Sequence, residues 1–253
     1  MTTIEATPRS RFRADGYVKL PNFFGGEVLK ELGEQVDRFH REVLPRLPDA
    51  HVFHESKGRP ETLKQIQQMN QHDPWFDALI SRGRVRALAE LLLDGLAVPR
   101  NVQYFNKPAG LGKGTPPHQD GFYFMLEPCE ALTIWIALDE VDEANGCIRY
   151  VRGSHTSGLR EHARTETLGF SQGIRDYPTA SDKERETPVP AQPGDLLAHH
   201  ALTIHRANGN LTQTRQRRAL GLIYYGAEAR EDTAAHLRYQ RELAGRMRAE
   251  GKI

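Results

Sequence analysis

Cysteine is scarce in this chain of 253 residues: only Cys129 and Cys147 are present, and they do not stand at CxxC spacing. That excludes a disulfide scaffold and a thiolate zinc site, and makes a reducing cytoplasm the expected location. A surplus of either charge is missing as well. Lysine and arginine number 34 against 33 aspartates and glutamates, a formal net charge of +1. Such a balance offers no field for nucleic acid or for an anionic membrane surface. No apolar run approaches the ~20 residues of a membrane-spanning helix. The opening MTTIEATPRSRFRADGY has no apolar signal core, so secretion is not expected. Internal repeats are absent too. What is left, 38% hydrophobic and 26% charged, is the composition of an ordinary globular protein with a core.

Two textures divide the chain. Residues 1–99 read as a mostly helical flank. After the short alternation GYVKL, the stretch GGEVLKELGEQVDRFHREVL places Val28, Leu29, Leu32, Val36, Phe39 and Val43 at helical spacing. Two further amphipathic segments follow, the second ending in RVRALAELLLDG. From residue 100 to 226 the segments VQYF, FYFML, ALTIWIAL, CIRYV, DLLAHHALTIH and RALGLIYY are short and rich in β-branched or aromatic residues. Gly, Pro or Asn turns separate them. This predicts an all-β core, a sandwich or double-sheet barrel. Within it, residues 157–192 are long, polar and broken by prolines, which reads as a lid-like insertion. Residues 227–253 read as a charged, surface-packed helix with a thin stripe of Leu237, Leu243 and Met247.

The chemistry concentrates at PPHQDG, where His118 and Asp120 stand two apart. On a strand end, residues i and i+2 point to one face. Two histidines and one carboxylate can hold one side of Fe(II) and leave three positions open. The tripeptide by itself can equally be a polar turn, with Asp120 bonding its own backbone ahead of Gly121. A third ligand must come from a distant strand, and the candidates downstream are His155, His162, His199, His200, His205 and His236. His205 fits best, because it ends a strand where the turn Asn208-Gly209-Asn210 begins. His199 shares its strand parity; His200 has the opposite one and reads as packed or hydrogen-bonded, as does His155.

Five blocks then line up in order. FRADGYVKLPNFF, NKPAG with PPHQDGFYF, LTIWIALDEVDEANGCIRYVRGSH, PGDLLAHHALTIHRANGN and RRALGLIYY together resemble the phytanoyl-CoA dioxygenase family of Fe(II)/2-oxoglutarate-dependent oxygenases. The resemblance implies a mainly β protein with flanking N-terminal helices and a double-stranded β-helix core of the jelly-roll, cupin-like kind. It implies Fe(II), 2-oxoglutarate as co-substrate and O2, with hydroxylation of an unactivated C–H bond and release of succinate and CO2. His118, Asp120 and His205 correspond to the iron ligands. Arg217 falls at the position that grips the far carboxylate of 2-oxoglutarate, a task for a planar two-pronged donor. Arg218 takes its place if the preceding loop shifts the parity. Trp135, Thr133, Gln103 and Lys64 match positions near the co-substrate, and Asn210 the asparagine of the distal turn.

The departures from the family pattern are local. HRANGN stands where relatives often carry HGSGxN, so Arg206 and Ala207 replace a glycine and a serine, and Thr133 is a candidate for the missing hydroxyl contact. Asp120 keeps the carboxylate that related halogenases replace with a small residue, which favours hydroxylation. A non-catalytic or 2-oxoglutarate-independent metal-binding β-barrel is the alternative. The partner is a small molecule rather than nucleic acid or membrane, and Arg160, Arg164, Phe170 and Arg175 are candidates for contacting it, the arginines hinting at an anion.

Overall fold

The computed structural model describes residues 7–56, 58–165 and 172–249. Its first part runs α1 (Pro8–Asp15), β1 (Tyr17–Leu20), α2 (Gly26–Glu42), β2 (Val52–His54), β3 (Leu63–Ile66), α3 (Met69–His72), α4 (Pro74–Ser81) and α5 (Gly83–Leu93). Next come β4 (Ala97–Lys107), β5 (Thr115–His118), α6 (Asp120–Phe124), β6 (Leu126–Glu127), β7 (Ala131–Ala137) and β8 (Ile148–Val151). The chain continues through β9 (His162–Arg164), β10 (Gln172–Ile174), α7 (Ala180–Arg185), β11 (Glu186–Val189), β12 (Leu196–His200) and β13 (His205–Ala207). It closes with β14 (Arg217–Gly226), β15 (Arg230–Glu231) and α8 (Thr233–Ala249). No helix among the described residues is long and apolar enough to cross a membrane.

Two antiparallel sheets face each other as a jelly roll. The major sheet has seven strands in the order β1-β12-β7-β14-β4-β3-β2, the minor one four in the order β11-β8-β13-β5. Strand β7 shows why ALTIWIA is apolar at all but Thr133: successive side chains alternate between faces, and both faces are covered. Leu132, Ile134 and Ile136 join the cluster that includes Leu32, Val36 and Phe39 of α2, Phe76 and Ile80 of α4 and Leu88 of α5. Trp135 and Ala137 turn the other way, into the cluster between the sheets with Ile148, Tyr150, Leu197 and Ala219. Thr133 shares that inner face. The helical spacing of Leu32, Val36 and Phe39 therefore has its cause in this sheet, and Val28 at the other end of α2 stays exposed. Strand β12 begins after a tight turn at Gly194, whose φ is +87° and whose missing Cβ would lie 1.9 Å from the Phe24 carbonyl oxygen.

Two regions differ from their expectation. The flank 1–99 also supplies β1, β2 and β3 to the major sheet. Strands of three or four residues hold too few alternations to stand out beside the helical periodicity. Among its described residues, the stretch 157–192 shows more regular structure than a polar connection. It holds the β9–β10 ribbon, then α7 with a capping box between Thr179 and Asp182. It ends in β11, which pairs with β8. Pro188 in ETPV hides that strand, and the proline is tolerated because β11 is the edge of its sheet. In α8, Leu237 of the expected apolar stripe is exposed, and the side chains of Leu243 and Met247 lie outside the described set.

Candidate metal centre and adjoining cleft

His118 is the last residue of β5, and its partner across the ladder in β13 is His205. Asp120 does not lie on a strand; it opens α6. The i and i+2 relation survives because Gln119 between them is extended, at φ −122° and ψ 129°. One ligand atom from each of His118, Asp120 and His205 lies within 4.8 Å of the others. Asp120 Oδ1 is 3.4 Å from His118 Nε2 and 3.8 Å from His205 Nε2.

The backbone fixes which nitrogens point inward. His118 Nδ1 is 2.8 Å from the Pro116 carbonyl oxygen and His205 Nδ1 3.0 Å from that of Thr203. A carbonyl only accepts, so both Nδ1 atoms carry the proton and both Nε2 atoms offer a lone pair. Two lone pairs and a carboxylate oxygen thus converge on one point, an arrangement that a cation stabilises and that is repulsive without one. Burial, with the neighbouring His118 and His199 as secondary causes, holds His205 well below the usual imidazole range, in the neutral ligating form. Burial also pushes the Asp120 carboxyl up, but its close contacts with His118 and His199 outweigh that and keep the group well below its ordinary value. The donor set suits a divalent first-row metal such as Fe(II).

The cleft between the sheets extends from this centre and is lined by Thr133, Trp135, Ile148, Lys64, Lys107 and Arg217 among others. Arg217 is buried, its Nε lacks an acceptor, and its Cζ lies 5.5 Å from the Trp135 ring centre. Burial lowers its pKa to about 10. Arg218 faces away and donates through Nε and Nη2 to Asp139, at 2.8 Å for the shortest contact. Register resolves the parity: Arg217 pairs with Lys107 and Arg218 with Asn106. Lys107 is buried too, and burial followed by the Arg217 and Lys64 charges holds it well below the usual ammonium range. Its Nζ donates to the Lys113 carbonyl and to Thr115 Oγ1. Lys64 Nζ stands 3.3 Å from Glu55 Oε1, an ion contact without a well-aligned hydrogen bond. A buried guanidinium and two buried lysines against one buried carboxylate leave this end of the cleft suited to an anionic ligand.

The other expected residues take varied places. Thr133 lines the cleft, but its hydroxyl donates to Asp120 Oδ2 at 2.6 Å. Gln103 is buried one row off, accepting from Gln65, which does line the cleft. Asn210 is built into the turn, its Nδ2 donating to the carbonyls of Lys107 and Arg215, so it ties the ends of β4 and β14 together. His155 contacts the Arg13 carbonyl, His200 lies 3.6 Å from Glu130, and His236 bonds Glu231, all outside the metal group. His162 Nε2 accepts from the Gln119 amide.

Two of the three arginines expected to contact a substrate are held in ion pairs. Arg160 pairs with Asp176 and Asp182 and Arg175 with Glu161, while Arg164 is exposed. Phe170 lies outside the described residues. Gln119 anchors the segment instead, donating to the Gly158 carbonyl and accepting from the Arg160 amide.

Sequence reasoning passed over Lys107 and Tyr150. Both had a signal: Lys107 lies in the NKPAG block opposite Arg217, and Tyr150 shares strand parity with Ile148, which lines the cleft.

Comparison with known proteins brings these features together. The family model for phytanoyl-CoA dioxygenase (PhyH) matches residues 12–219. The chain is 27% identical over 220 residues to a probable alpha-ketoglutarate-dependent hypophosphite dioxygenase of Stutzerimonas stutzeri, covering 85% of this chain and 76% of that protein. Among solved structures, EvdO2 from Micromonospora carbonacea var. aurantiaca complexed with 2-oxoglutarate superimposes with a TM-score of 0.69 at 25% identity, covering 91% of this chain and 94% of that one. The epimerase SnoN, in complex with Fe3+, alpha ketoglutarate and nogalamycin RO, shares the fold at a TM-score of 0.70 and 24% identity, over 88% of this chain and 84% of that one.

Proposed function

The chain belongs to the phytanoyl-CoA dioxygenase family of Fe(II)- and 2-oxoglutarate-dependent oxygenases, and from that premise we propose that it hydroxylates an unactivated C–H bond of a small organic substrate. His118, Asp120 and His205 are the residues that would hold Fe(II), and Arg217 the far carboxylate of 2-oxoglutarate. One observation carries the reading: three convergent donors and a buried guanidinium with an open Nε line the same cleft, with Trp135 beside the guanidinium. A ferrous ion bound there supplies oxygen activation coupled to decarboxylation of 2-oxoglutarate, yielding succinate and CO2.

The protein's own part is placement. Arg217 offers a two-pronged grip that lysine lacks, and burial strengthens it by removing competing water. Lys107 and Lys64 line the same end of the cleft, where a bound anion would favour their charged forms. Thr133 and Gln103 act through neighbours, the first by holding Asp120 and the second by holding Gln65. Asp120 fills with its carboxylate the position that a halide would need, which supports hydroxylation over halogenation. The two free cysteines fit a cytoplasmic setting.

Anaerobic addition of Fe(II) and then 2-oxoglutarate should develop a weak visible charge-transfer band, and aerobic turnover should release succinate. A metal-binding barrel without 2-oxoglutarate chemistry would bind Fe(II) and show neither. Hydroxylation itself is checked by an oxygen atom from 18O2 in the product. A product changed only in stereochemistry, the outcome named for SnoN, would remove the hydroxylase assignment and leave the cofactor reading intact.

A further inference from the structure

Asp120 presents two different oxygens. Oδ1 faces the histidine pair, whereas Oδ2 accepts from Thr133 Oγ1 at 2.6 Å and lies 3.2 Å from His199 Nε2. His199 is buried and stands outside the group of three that can share an ion. Its other nitrogen, Nδ1, is 2.9 Å from the hydroxyl of Tyr150. Tyr150 is fully buried, stacked on Tyr17 with ring centres 4.4 Å apart and planes 15° from parallel. Strand pairing holds the set in place, His199 lying opposite Thr133 on one side and Tyr17 on the other, and Tyr150 opposite His205.

With a neutral imidazole at His199, one pattern of protons satisfies this chain. A carboxylate accepts and cannot donate, so His199 Nε2 must carry the proton that reaches Oδ2. In the neutral ring Nδ1 is then an acceptor, and the hydroxyl of Tyr150 donates to it. The reverse tautomer would set a lone pair against Oδ2 and leave the Tyr150 proton without this acceptor. Tyr150 therefore selects the tautomer, and His199 passes the constraint to the carboxylate.

We infer that His199, set by Tyr150, is a positioning residue for the metal: with Thr133 it occupies Oδ2 of Asp120, so that the carboxylate meets the ion through Oδ1 alone. The inference rests on the ligand reading given above. Its consequence is a count of open positions. A six-coordinate ion held by three protein atoms keeps three positions, two for 2-oxoglutarate and one for O2. A carboxylate free to swing to two-oxygen binding would take one of them.

Co(II) titration of the full chain under anaerobic conditions, followed by calorimetry and by the visible ligand-field spectrum, tests this without turnover. His199→Phe should weaken Co(II) binding by ~10–100-fold and change the intensity of the band, because the coordination number changes with the carboxylate's binding mode. His199→Gln, which keeps an N–H near the same place, should return affinity to within about 3-fold of wild type and restore the spectrum. Tyr150→Phe should give an intermediate loss, and adding it to His199→Phe should cost nothing further, whereas a role in packing alone would make the two losses multiply. Tyr150→Phe removes a single hydroxyl, so it carries the test if His199→Phe does not fold.

Wild-type affinity and spectrum in both Tyr150→Phe and a folded His199→Phe would overturn the inference. If Asp120→Ala abolishes Co(II) binding in the same series, the metal centre stands and only the positioning role is lost. If Asp120→Ala also binds as wild type, the ligand reading fails with it.

Discussion

The two sheets of the barrel contribute different halves of the site and are held by different physics. The minor sheet brings His118 and His205 together on β5 and β13, with Asp120 just beyond β5. The major sheet supplies Arg217, Trp135, Thr133 and His199 from β14, β7 and β12. On its far side the major sheet is sealed by helices through a large apolar cluster. The minor sheet has strands of three or four residues and carries an ion network instead, in which Arg149 and Arg206 both reach Glu186. The half proposed to hold the metal is thus built from a few residues close in space, on or just beyond short strands. The half proposed to hold the co-substrate sits on a seven-stranded sheet whose register sets which side chains face the cleft.

Substitutions can separate these halves. Asp120→Ala, on the minor side, should abolish succinate formation while far-UV circular dichroism stays unchanged, since it removes a ligand and no core volume. Turnover near wild type in that variant would end the ligand assignment. Arg217→Ala, on the major side, should raise the apparent 2-oxoglutarate KM by ~100-fold or more, the cost of losing a buried charged hydrogen-bonded pair. Arg218→Ala should change it by less than about 3-fold, because that guanidinium is committed to Asp139 on the opposite face. The reverse ranking would place the co-substrate on the wrong side of β14.

The major sheet's framework can be broken without touching the cleft. Gly194→Ala forces a side chain into the left-handed region, a cost of ~1–2 kcal/mol. The new Cβ would also meet the Phe24 carbonyl, whose Phe24 amide in turn donates to the Gly194 oxygen at 2.9 Å. The melting temperature should fall by about 4 °C or more, with metal affinity in the surviving fold unchanged. An unchanged melting temperature would mean that the junction of α2 and β12 yields more readily than its geometry suggests.

These contrasts also explain what could be read before the fold was seen. His118 and Asp120 sit in one short motif, but the third place was open among several histidines until the family resemblance chose His205, which opens β13 instead of ending a strand as expected. Arg217 against Arg218 was undecidable from RRAL, because parity depends on where β14 begins, and only its pairing with β4 determines that. The alternation in ALTIWIAL is hard to see since both faces of β7 are buried and every position but Thr133 is apolar. Thr133 could be placed on the inner face, yet nothing local tells a hydroxyl aimed at a co-substrate from one aimed at Asp120. Strand β11 was masked by its proline, and the pairing of Arg160 with Asp182 depends on a helix that begins some twenty residues downstream.

The smallest effect distinguishes the minor sheet's ion network from simple packing. Burial raises the Glu186 carboxyl, but hydrogen bonds from Arg206, Tyr177 and Arg149 prevail and hold it at about 2. An unfolded glutamate titrates near ~4.3. A carboxyl whose pKa is depressed by folding adds stability that is fully present above the unfolded value and is lost as pH falls toward the folded one. The contribution should therefore be complete at pH ~6 and disappear between about 4.5 and 2. Glu186→Gln keeps the shape and removes the charge. Its melting temperature should lie below wild type near neutral pH, and the two curves should converge as pH approaches ~2.5. Partial exposure of Arg206 screens the pair, so the gap should also shrink in high salt. A gap of constant size across pH and salt would assign the contribution to packing, and the two sheets would then differ less than their charge content implies.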